Sequence, residues 1–172
     1  PQADGQTAGE NMPEGMIEQK TLEDGIFYIR IWGEFDADLQ QTGQTPSTVG
    51  LLRKAVNEAI DADAKGIILD LRNNLGGLDD MAADILGSFY PEKTFYEYQN
   101  AYNPATGQRE IVTADAEAGT EALYINPAEH CYKGRVIALL NTRCVSSGEG
   151  IAMGIRNLPN GDTLGFYGTN GS

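Results

Sequence analysis

The chain carries, from residue 136 to residue 153, the run Val136-Ile-Ala-Leu-Leu-Asn-Thr-Arg-Cys-Val-Ser-Ser-Gly-Glu-Gly-Ile-Ala-Met153. The segment Arg135–Leu140, which is apolar from Val136 onward, predicts a buried strand. Gly148–Arg156 predicts a short helix. A small hydroxyl residue, Ser146, lies at the turn between them. Such a turn exposes the side-chain oxygen, and the start of the helix supplies backbone N–H groups that can stabilise a developing oxyanion.

Ser146 and its neighbour Ser147 also fit a purely structural role. Serine is common at the position that precedes a helix, where its side chain accepts a hydrogen bond from a backbone N–H group. Ser146 or Ser147 could cap the helix in this way, with Glu149 in the first turn. This segment alone therefore leaves a capping role and a nucleophile role open.

A second strand–turn–helix pattern occurs in Lys65-Gly-Ile-Ile-Leu-Asp-Leu-Arg-Asn-Asn-Leu-Gly-Gly-Leu-Asp-Asp80. Gly66–Leu71 predicts a strand and Leu78–Phe89 a helix, with Gly76 and Gly77 between them. A glycine pair lets the main chain approach a ligand and aim an amide at it, although a tight turn also favours glycine. The two segments together suit acyl transfer, because one offers an oxygen nucleophile and the other a backbone donor.

Two short motifs carry a resemblance to a known family. Asp70-Leu-Arg-Asn-Asn-Leu-Gly-Gly77, the glycine motif, resembles the strand-end signature of the tail-specific (C-terminal processing) serine peptidases, peptidase family S41. Val145-Ser-Ser-Gly-Glu149, the serine motif, resembles their nucleophile motif. The resemblance covers residues 25–172, including a strand at Gly25–Ile31 and a helix at Ser47–Ala62. It implies an α/β fold, a ClpP/crotonase-like spiral of ββα units with a mixed, mainly parallel sheet.

The resemblance also implies a function and a set of site residues. A member of this family is a serine endopeptidase that cleaves unfolded or C-terminally exposed protein substrates without a cofactor or a metal. Ser146 would attack the peptide carbonyl, and the amides of Ser147 and of Gly76 or Gly77 would form the oxyanion hole. Because the family is typically exported, a periplasmic, extracellular or lipoprotein-anchored location is expected.

The general base departs from the family pattern. Bacterial members carry a lysine after the serine, but the last lysine of this chain is Lys133, and Thr169-Asn-Gly-Ser172 aligns Ser172 with the family lysine. Relatives similar to the tricorn core peptidase use a histidine from an upstream domain, and the one histidine here, His130, is a weak candidate. A serine without a base is a poor nucleophile. We therefore expect an incomplete catalytic set within these 172 residues.

The organisation along the chain predicts one domain and a tail. Residues 1–24 are rich in Gly, Gln, Glu and Pro and predict a linker or tail, while residues 25–172 form the core domain. We expect a longer protein with an upstream PDZ-like domain and a further C-terminal segment. Thr94–Tyr102 and Gln108–Thr113 predict an exposed hairpin, whose tyrosines would line a peptide groove or cover a neighbouring domain. Leu164–Gly168 predicts a final strand.

Charge and composition exclude several classes of partner. Twelve Lys and Arg residues against 25 Asp and Glu residues leave a net charge of −13, which argues against nucleic acid and anionic membranes. No apolar run approaches the roughly 20 residues of a membrane span. Acidic clusters such as Glu34/Asp36/Asp38 predict solvated faces, whereas Asp79 and Asp80 predict a helix start. Cys131 and Cys144 flank a predicted strand and are expected to be free thiols.

Two other functions remain open at this point. A non-catalytic relative with the same fold could bind apolar ligands or peptides, as the interphotoreceptor-retinoid-binding modules do. A crotonase-like acyl-CoA enzyme would share the oxyanion hole but would need no serine. Since the serine motif supplies a nucleophile, it argues against the acyl-CoA enzyme.

Overall fold

A computed structural model describes residues 14–36, 46–98, 100–111 and 122–169. In these ranges the helices are α1 (Thr48–Asp61), α2 (Asp79–Leu86) and α3 (Ser147–Arg156). The strands are β1 (Ile17–Thr21), β2 (Ile26–Ile31), β3 (Gly66–Asp70), β4 (Thr94–Tyr98), β5 (Asn100–Asn103), β6 (Gln108–Ile111), β7 (Ala122–Ile125), β8 (Arg135–Leu140) and β9 (Gly161–Gly165).

The central sheet has the strand order β1-β2-β3-β8-β9. β1 is antiparallel to β2, and the remaining neighbours are parallel. The register aligns Phe27 with Ile67, and Ile67 with Val136. The predicted α/β class with a mixed, mainly parallel sheet is therefore confirmed.

The three helices lie side by side, because α2 contacts both α1 and α3. The parallel strands advance in one direction across the sheet, so right-handed connections place these helices on the same face. Ser47 caps α1, its Oγ accepting a hydrogen bond of 3.1 Å from the amide of Gly50. The apolar side of each element faces the core between sheet and helices, which includes Ile29, Ile31, Leu52, Val56, Leu69, Ile85, Val136 and Ile151.

The predicted tail contains one strand of the sheet. Ile17–Thr21 lies within the predicted linker or tail of residues 1–24, for which order by contact is one of the predicted alternatives, and it forms β1 and pairs with Phe27–Ile31 of β2. The physical reason is that the apolar residues Met16 and Ile17 pack at the edge of the core, while the backbone pairs with the outer side of β2. The rest of the expected tail, residues 1–13, lies outside the described residues.

The predicted hairpin is only partly correct. β5 and β6 pair as expected, with a turn that contains Gly107 at a φ of +71°. β4, however, pairs with β7 in a separate two-stranded ribbon, where the rings of Phe95 and Tyr124 meet edge to face at 6.0 Å. This aromatic pair joins distant segments and stabilises the ribbon by about 0.2–1 kcal/mol. The final strand also begins earlier than predicted, at Gly161.

Two expectations about composition can be compared with the structure. Cys131 and Cys144 are both free thiols, as predicted. Within the four described ranges, no helix is both long and apolar enough to cross a membrane.

Candidate active site

The glycine motif and the serine motif meet at one edge of the sheet. Each follows the carboxyl end of a strand, and β3 and β8 are parallel neighbours. Asn73 and Asn141 join the two strand ends: the Asn73 amide donates to Asn141 Oδ1 at 3.0 Å, and Asn141 Nδ2 donates to Asn73 Oδ1 at 2.9 Å. A third bond of 3.3 Å runs from the Val145 amide to the Asn74 carbonyl. The sheet therefore brings together two motifs that are far apart in the sequence.

Ser146 is exposed at the turn that opens α3. Its backbone has φ 53° and ψ −131°, a conformation that residues other than glycine rarely adopt. The Ser146 amide donates a hydrogen bond of 3.1 Å to Glu149 Oε2. A strained strand-to-helix turn of this kind holds a nucleophilic serine outward in other hydrolases. Ser146 thus precedes the helix as the capping interpretation requires, and its backbone also has the geometry of a nucleophile turn.

Ser147 has a different environment from Ser146. It is only 2% exposed, and its hydroxyl donates a hydrogen bond of 2.7 Å to Glu34 Oε2. The Ser147 backbone N–H has no hydrogen-bond partner among the described residues. Ser147 therefore has a fixed, buried side chain and an open amide at the start of the helix.

Gly76 lies directly against Ser146. Its φ is +72°, and a β-carbon at this position would lie 2.7 Å from the β-carbon of Ser146 and 3.0 Å from the carbonyl oxygen of Val145. The Gly76 amide donates to Asn74 Oδ1 at 2.8 Å. Glycine is thus needed here for the close approach, and its own N–H group is already bonded.

Gly77 supplies the open amide on this side of the site. The Glu34 amide donates to the Gly76 carbonyl at 3.0 Å, and the Leu78 amide donates to the Glu34 carbonyl at 2.8 Å. These two bonds form a parallel bridge that directs the N–H group of Gly77 away from Glu34. That N–H group has no partner within the described ranges. Of the two predicted glycine donors, Gly77 rather than Gly76 has an available N–H group.

Glu34 is buried, and the solvated face predicted for the cluster Glu34/Asp36/Asp38 is wrong for this residue. Its side chain is 0% exposed. Its Oε1 accepts a bond of 2.7 Å from Asn74 Nδ2, and its Oε2 accepts the Ser147 hydroxyl. Burial raises the pKa of Glu34, and the hydrogen bonds from Ser147 and Asn74 only partly oppose that shift. No local pattern could have indicated this, since the partners of Glu34 come from other segments of the chain.

Cys144 does not have the properties of a nucleophile. The thiol is fully buried, and burial, together with the charges of Glu34 and Glu149, raises its pKa to about 12. A thiol with so high a pKa stays protonated at neutral pH, and the thiolate is the reactive form. The buried, protonated thiol is therefore a poorer candidate nucleophile than the exposed hydroxyl of Ser146.

Of the two residues predicted as a possible general base, only His130 is described, and it lies far from Ser146. His130 lies in the loop before β8, with an exposed side chain 4.0 Å from Glu129. Ser146 follows the other end of that strand, and six residues of strand span roughly 17 Å. Ser172 lies outside the described residues. In the part of the chain that the structure describes, no histidine or lysine is hydrogen-bonded to the Ser146 hydroxyl.

Asp70 and Arg72 anchor the start of the glycine motif. Asp70 accepts bonds from Arg72 Nε at 2.9 Å and from Arg72 Nη2 and the Tyr28 hydroxyl at 2.6 Å each. Burial alone would raise the pKa of Asp70, but the bonds from Arg72 and Tyr28 outweigh it and lower the pKa. Burial, together with the hydrogen bond to Asp70 and its charge, raises the pKa of Tyr28 to about 12. The Asp-Leu-Arg part of the motif thus fixes the strand end from which the glycines extend.

The tyrosines of the ribbon have mixed environments. Tyr98 and Tyr102 are exposed, whereas the Tyr96 hydroxyl is buried against α3 at Gly150, where a β-carbon would collide with it. That these tyrosines line a peptide groove or cover a neighbouring domain stays a prediction with both alternatives open. Among the described residues, no group of three or more His, Cys, Asp or Glu side chains could hold a metal ion.

Comparison with known proteins identifies the domain that contains this site. It is a peptidase domain, because a peptidase family model matches residues 25–172. The chain belongs to peptidase family S41. A comparison with curated protein sequences finds no match.

Several solved structures share the fold. A protein from Parabacteroides merdae assigned as a peptidase has 17% identity and a TM-score of 0.63, with 95% of this chain and 48% of that chain covered. A lipoprotein from Streptococcus agalactiae has 25% identity and a TM-score of 0.55, with 87% and 48% covered. The photosystem II D1 C-terminal processing protease has 17% identity and a TM-score of 0.54, with 84% and 32% covered. The chain spans half or less of the length of these proteins.

Proposed function

We propose that this chain is the catalytic core of a serine endopeptidase of the tail-specific type, with Ser146 as the nucleophile. The observation that carries the proposal is the exposure of Ser146 at a strained turn, next to two open backbone amides, those of Gly77 and Ser147. This is the arrangement that acyl transfer to a serine requires.

The amides of Gly77 and Ser147 come from different segments of the chain and bind the same oxyanion. Gly77 is held by the backbone bridge to Glu34, and Ser147 stands at the N-terminus of α3, where the helix dipole is positive. Both donors are fixed before substrate binds, so they stabilise the oxyanion with little reorganisation. Gly76 contributes space rather than a donor, because its amide is bonded to Asn74.

The reaction follows from these positions. Ser146 Oγ attacks the peptide carbonyl while its proton passes to a general base, and the carbonyl electrons move to the oxygen that Gly77 and Ser147 bind. Collapse of this intermediate breaks the C–N bond, and the amine leaves with a proton. Water then hydrolyses the ester and restores Ser146. The base comes from a part of the protein outside the described residues.

Substrate and location follow from family membership. Peptidases of family S41 act on proteins, so a protein or peptide is the substrate, with unfolded or C-terminally exposed chains the proposed class. The exposed side chains of Leu75 and Leu78, which flank the glycine pair, are placed to contact apolar substrate residues. An exported location is supported by the likeness to a lipoprotein.

A fluorophosphonate probe on the full-length protein tests the proposal, because it reacts only with an activated serine. We expect labelling of the wild type and none of Ser146→Ala. Ser47→Ala is the matched control, since Ser47 also precedes a helix and is exposed. Labelling that persists in Ser146→Ala would place the nucleophile elsewhere.

One observation favours a second candidate, a non-catalytic module that binds peptides. No histidine or lysine among the described residues bonds to the Ser146 hydroxyl. A folded full-length protein that binds unfolded peptides without any probe labelling would support this candidate over the peptidase. The match to family S41 favours both of these over the acyl-CoA enzyme.

A further inference from the structure

We propose that Glu34 is a positioning residue that holds the two halves of the oxyanion hole at a fixed separation. The inference rests on the proposed function of Ser146, Gly77 and Ser147. Glu34 comes from a third segment, after β2, and touches both motifs without facing the substrate.

The side chain of Glu34 connects the motifs. One carboxylate oxygen accepts the Ser147 hydroxyl and the other accepts Asn74 Nδ2, each at 2.7 Å. Asn74 Oδ1 in turn accepts the Gly76 amide at 2.8 Å. The start of α3 and the glycine motif are thus linked through one carboxylate.

The backbone of Glu34 also forms hydrogen bonds on either side of Gly77, in addition to the side-chain bonds. Its amide and carbonyl bond to Gly76 and Leu78, on either side of Gly77. A β-carbon on Gly77 would collide with the Glu34 carbonyl. The plane of the Gly77 peptide, and with it the direction of the free N–H, is therefore set by Glu34.

Burial of the Glu34 carboxylate is unfavourable for folding, which supports a functional role for this residue. Glu34 is fully buried and has no ion pair with a lysine or arginine among the described residues. Its titratable neighbours are Asp79 on α2, Tyr96 on β4 and Cys144 before α3, and the further charges that act on Tyr96 and Cys144 are those of Glu97 and Glu149; none of these groups is a cation. A buried carboxylate with only neutral donors is unfavourable for folding, and an apolar side chain would avoid that cost.

Three variants of the full-length protein separate positioning from simple stability. Glu34→Gln keeps both links, because its oxygen can accept from Asn74 and its NH₂ can donate to Ser147. Glu34→Leu removes both, and Ser147→Ala removes one while keeping the Ser147 amide. The readout is the first-order rate constant of fluorophosphonate labelling, with kcat and KM on an unfolded protein substrate. Each variant is compared under conditions in which circular dichroism shows it to be fully folded, so that the rate constant reports the site and not the folded fraction.

We expect Glu34→Gln to react within about threefold of the wild type, Ser147→Ala about 10-fold more slowly, and Glu34→Leu about 30- to 100-fold more slowly, all with KM nearly unchanged. If Glu34 acts through Ser147, adding Ser147→Ala to Glu34→Leu causes little further loss. Wild-type rates in Glu34→Leu, or in Ser147→Ala where Glu34→Leu does not fold, would overturn the inference. An unlabelled wild type would instead overturn the proposed function on which it rests.

Discussion

Gly76 and Ser146 are packed so closely that a β-carbon on Gly76 would lie 2.7 Å from the β-carbon of Ser146. This contact joins the ends of two neighbouring parallel strands. It leaves no room for a side chain between the glycine motif and the proposed nucleophile. Substitution of Gly76 therefore tests directly whether this close approach matters for function.

Gly76→Ala in the full-length protein is expected to lower kcat by about 10²-fold, because the methyl group displaces the Ser146 side chain from its reactive position. Gly107→Ala is the matched control: Gly107 has nearly the same φ, +71°, but no atom within 4 Å of its added β-carbon. Both variants carry the backbone strain of a left-handed alanine, about 1 kcal/mol. Equal kcat values for the two folded variants would show that Gly76 serves only the turn.

The backbone of Ser146 predicts an effect on stability. Ser146→Gly relieves the strain of φ 53° and ψ −131°, whereas Ser146→Ala retains it. The same pair of substitutions at Ser47, whose backbone is extended, measures the capping preference alone. In chemical denaturation, the advantage of glycine over alanine should be greater at residue 146 than at residue 47 by about 1 kcal/mol. No difference between the two sites would argue against strain at Ser146.

Burial raises the pKa of Glu34, which gives a pH dependence of known sign. Because the folded protein holds this proton more tightly than the unfolded chain, its contribution to stability is full below the unfolded pKa, about 4.3, and is lost as pH rises through the folded pKa. The free energy of unfolding of the wild type, minus that of Glu34→Gln, should therefore fall as pH rises above about 4. Asp79, whose pKa is also raised, is present in both proteins. A difference in unfolding free energy that stays constant with pH would contradict the raised pKa of Glu34.

Asp70 should show the opposite sign, because its bonds to Arg72 and Tyr28 lower its pKa. Its contribution is present above the unfolded pKa, about 3.9, and is lost as pH falls through the folded pKa. Asp70→Asn at neutral pH should cost about 2–3 kcal/mol of stability, less than the roughly 3–5 kcal/mol of a fully buried pair, since Arg72 is half exposed. Asp162→Asn, which breaks an exposed pair with Arg135, should cost less than about 1 kcal/mol. Equal losses of stability in the two variants would mean that the Asp70–Arg72 pair contributes no more than an exposed ion pair.

The 172-residue chain by itself is expected to show little or no peptidase activity. The reason is that no histidine or lysine in its described part bonds to the Ser146 hydroxyl, and a serine needs a base. Incubation with an unfolded protein substrate, followed by mass spectrometry, provides the measurement. Robust cleavage that disappears in Ser146→Ala would reveal a base within the chain, and His130→Ala would then be the first variant to make.

Local patterns in the sequence were sufficient for the main elements. The predicted strand Gly66–Leu71 exceeds the observed one by one residue at its C-terminal end, and the predicted helix Ser47–Ala62 exceeds the observed one by one residue at each end. The agreement is close because apolar periodicity and capping act over a few neighbouring residues. The pairing of Thr94–Tyr98 was wrong, since its partner β7 is distant in sequence and no turn signal joins them.

The α/β class, the two strand–turn–helix motifs and the family resemblance could be predicted from the sequence, because each depends on residue types at short spacing. Three features could not be predicted in this way: the burial of Glu34, the open amide of Gly77 rather than Gly76, and the position of His130 beyond the far end of β8. These features depend on which strands are neighbours and on which hydrogen bonds form between distant segments. Such contacts arise when the sheet assembles and leave no periodic signal in the chain.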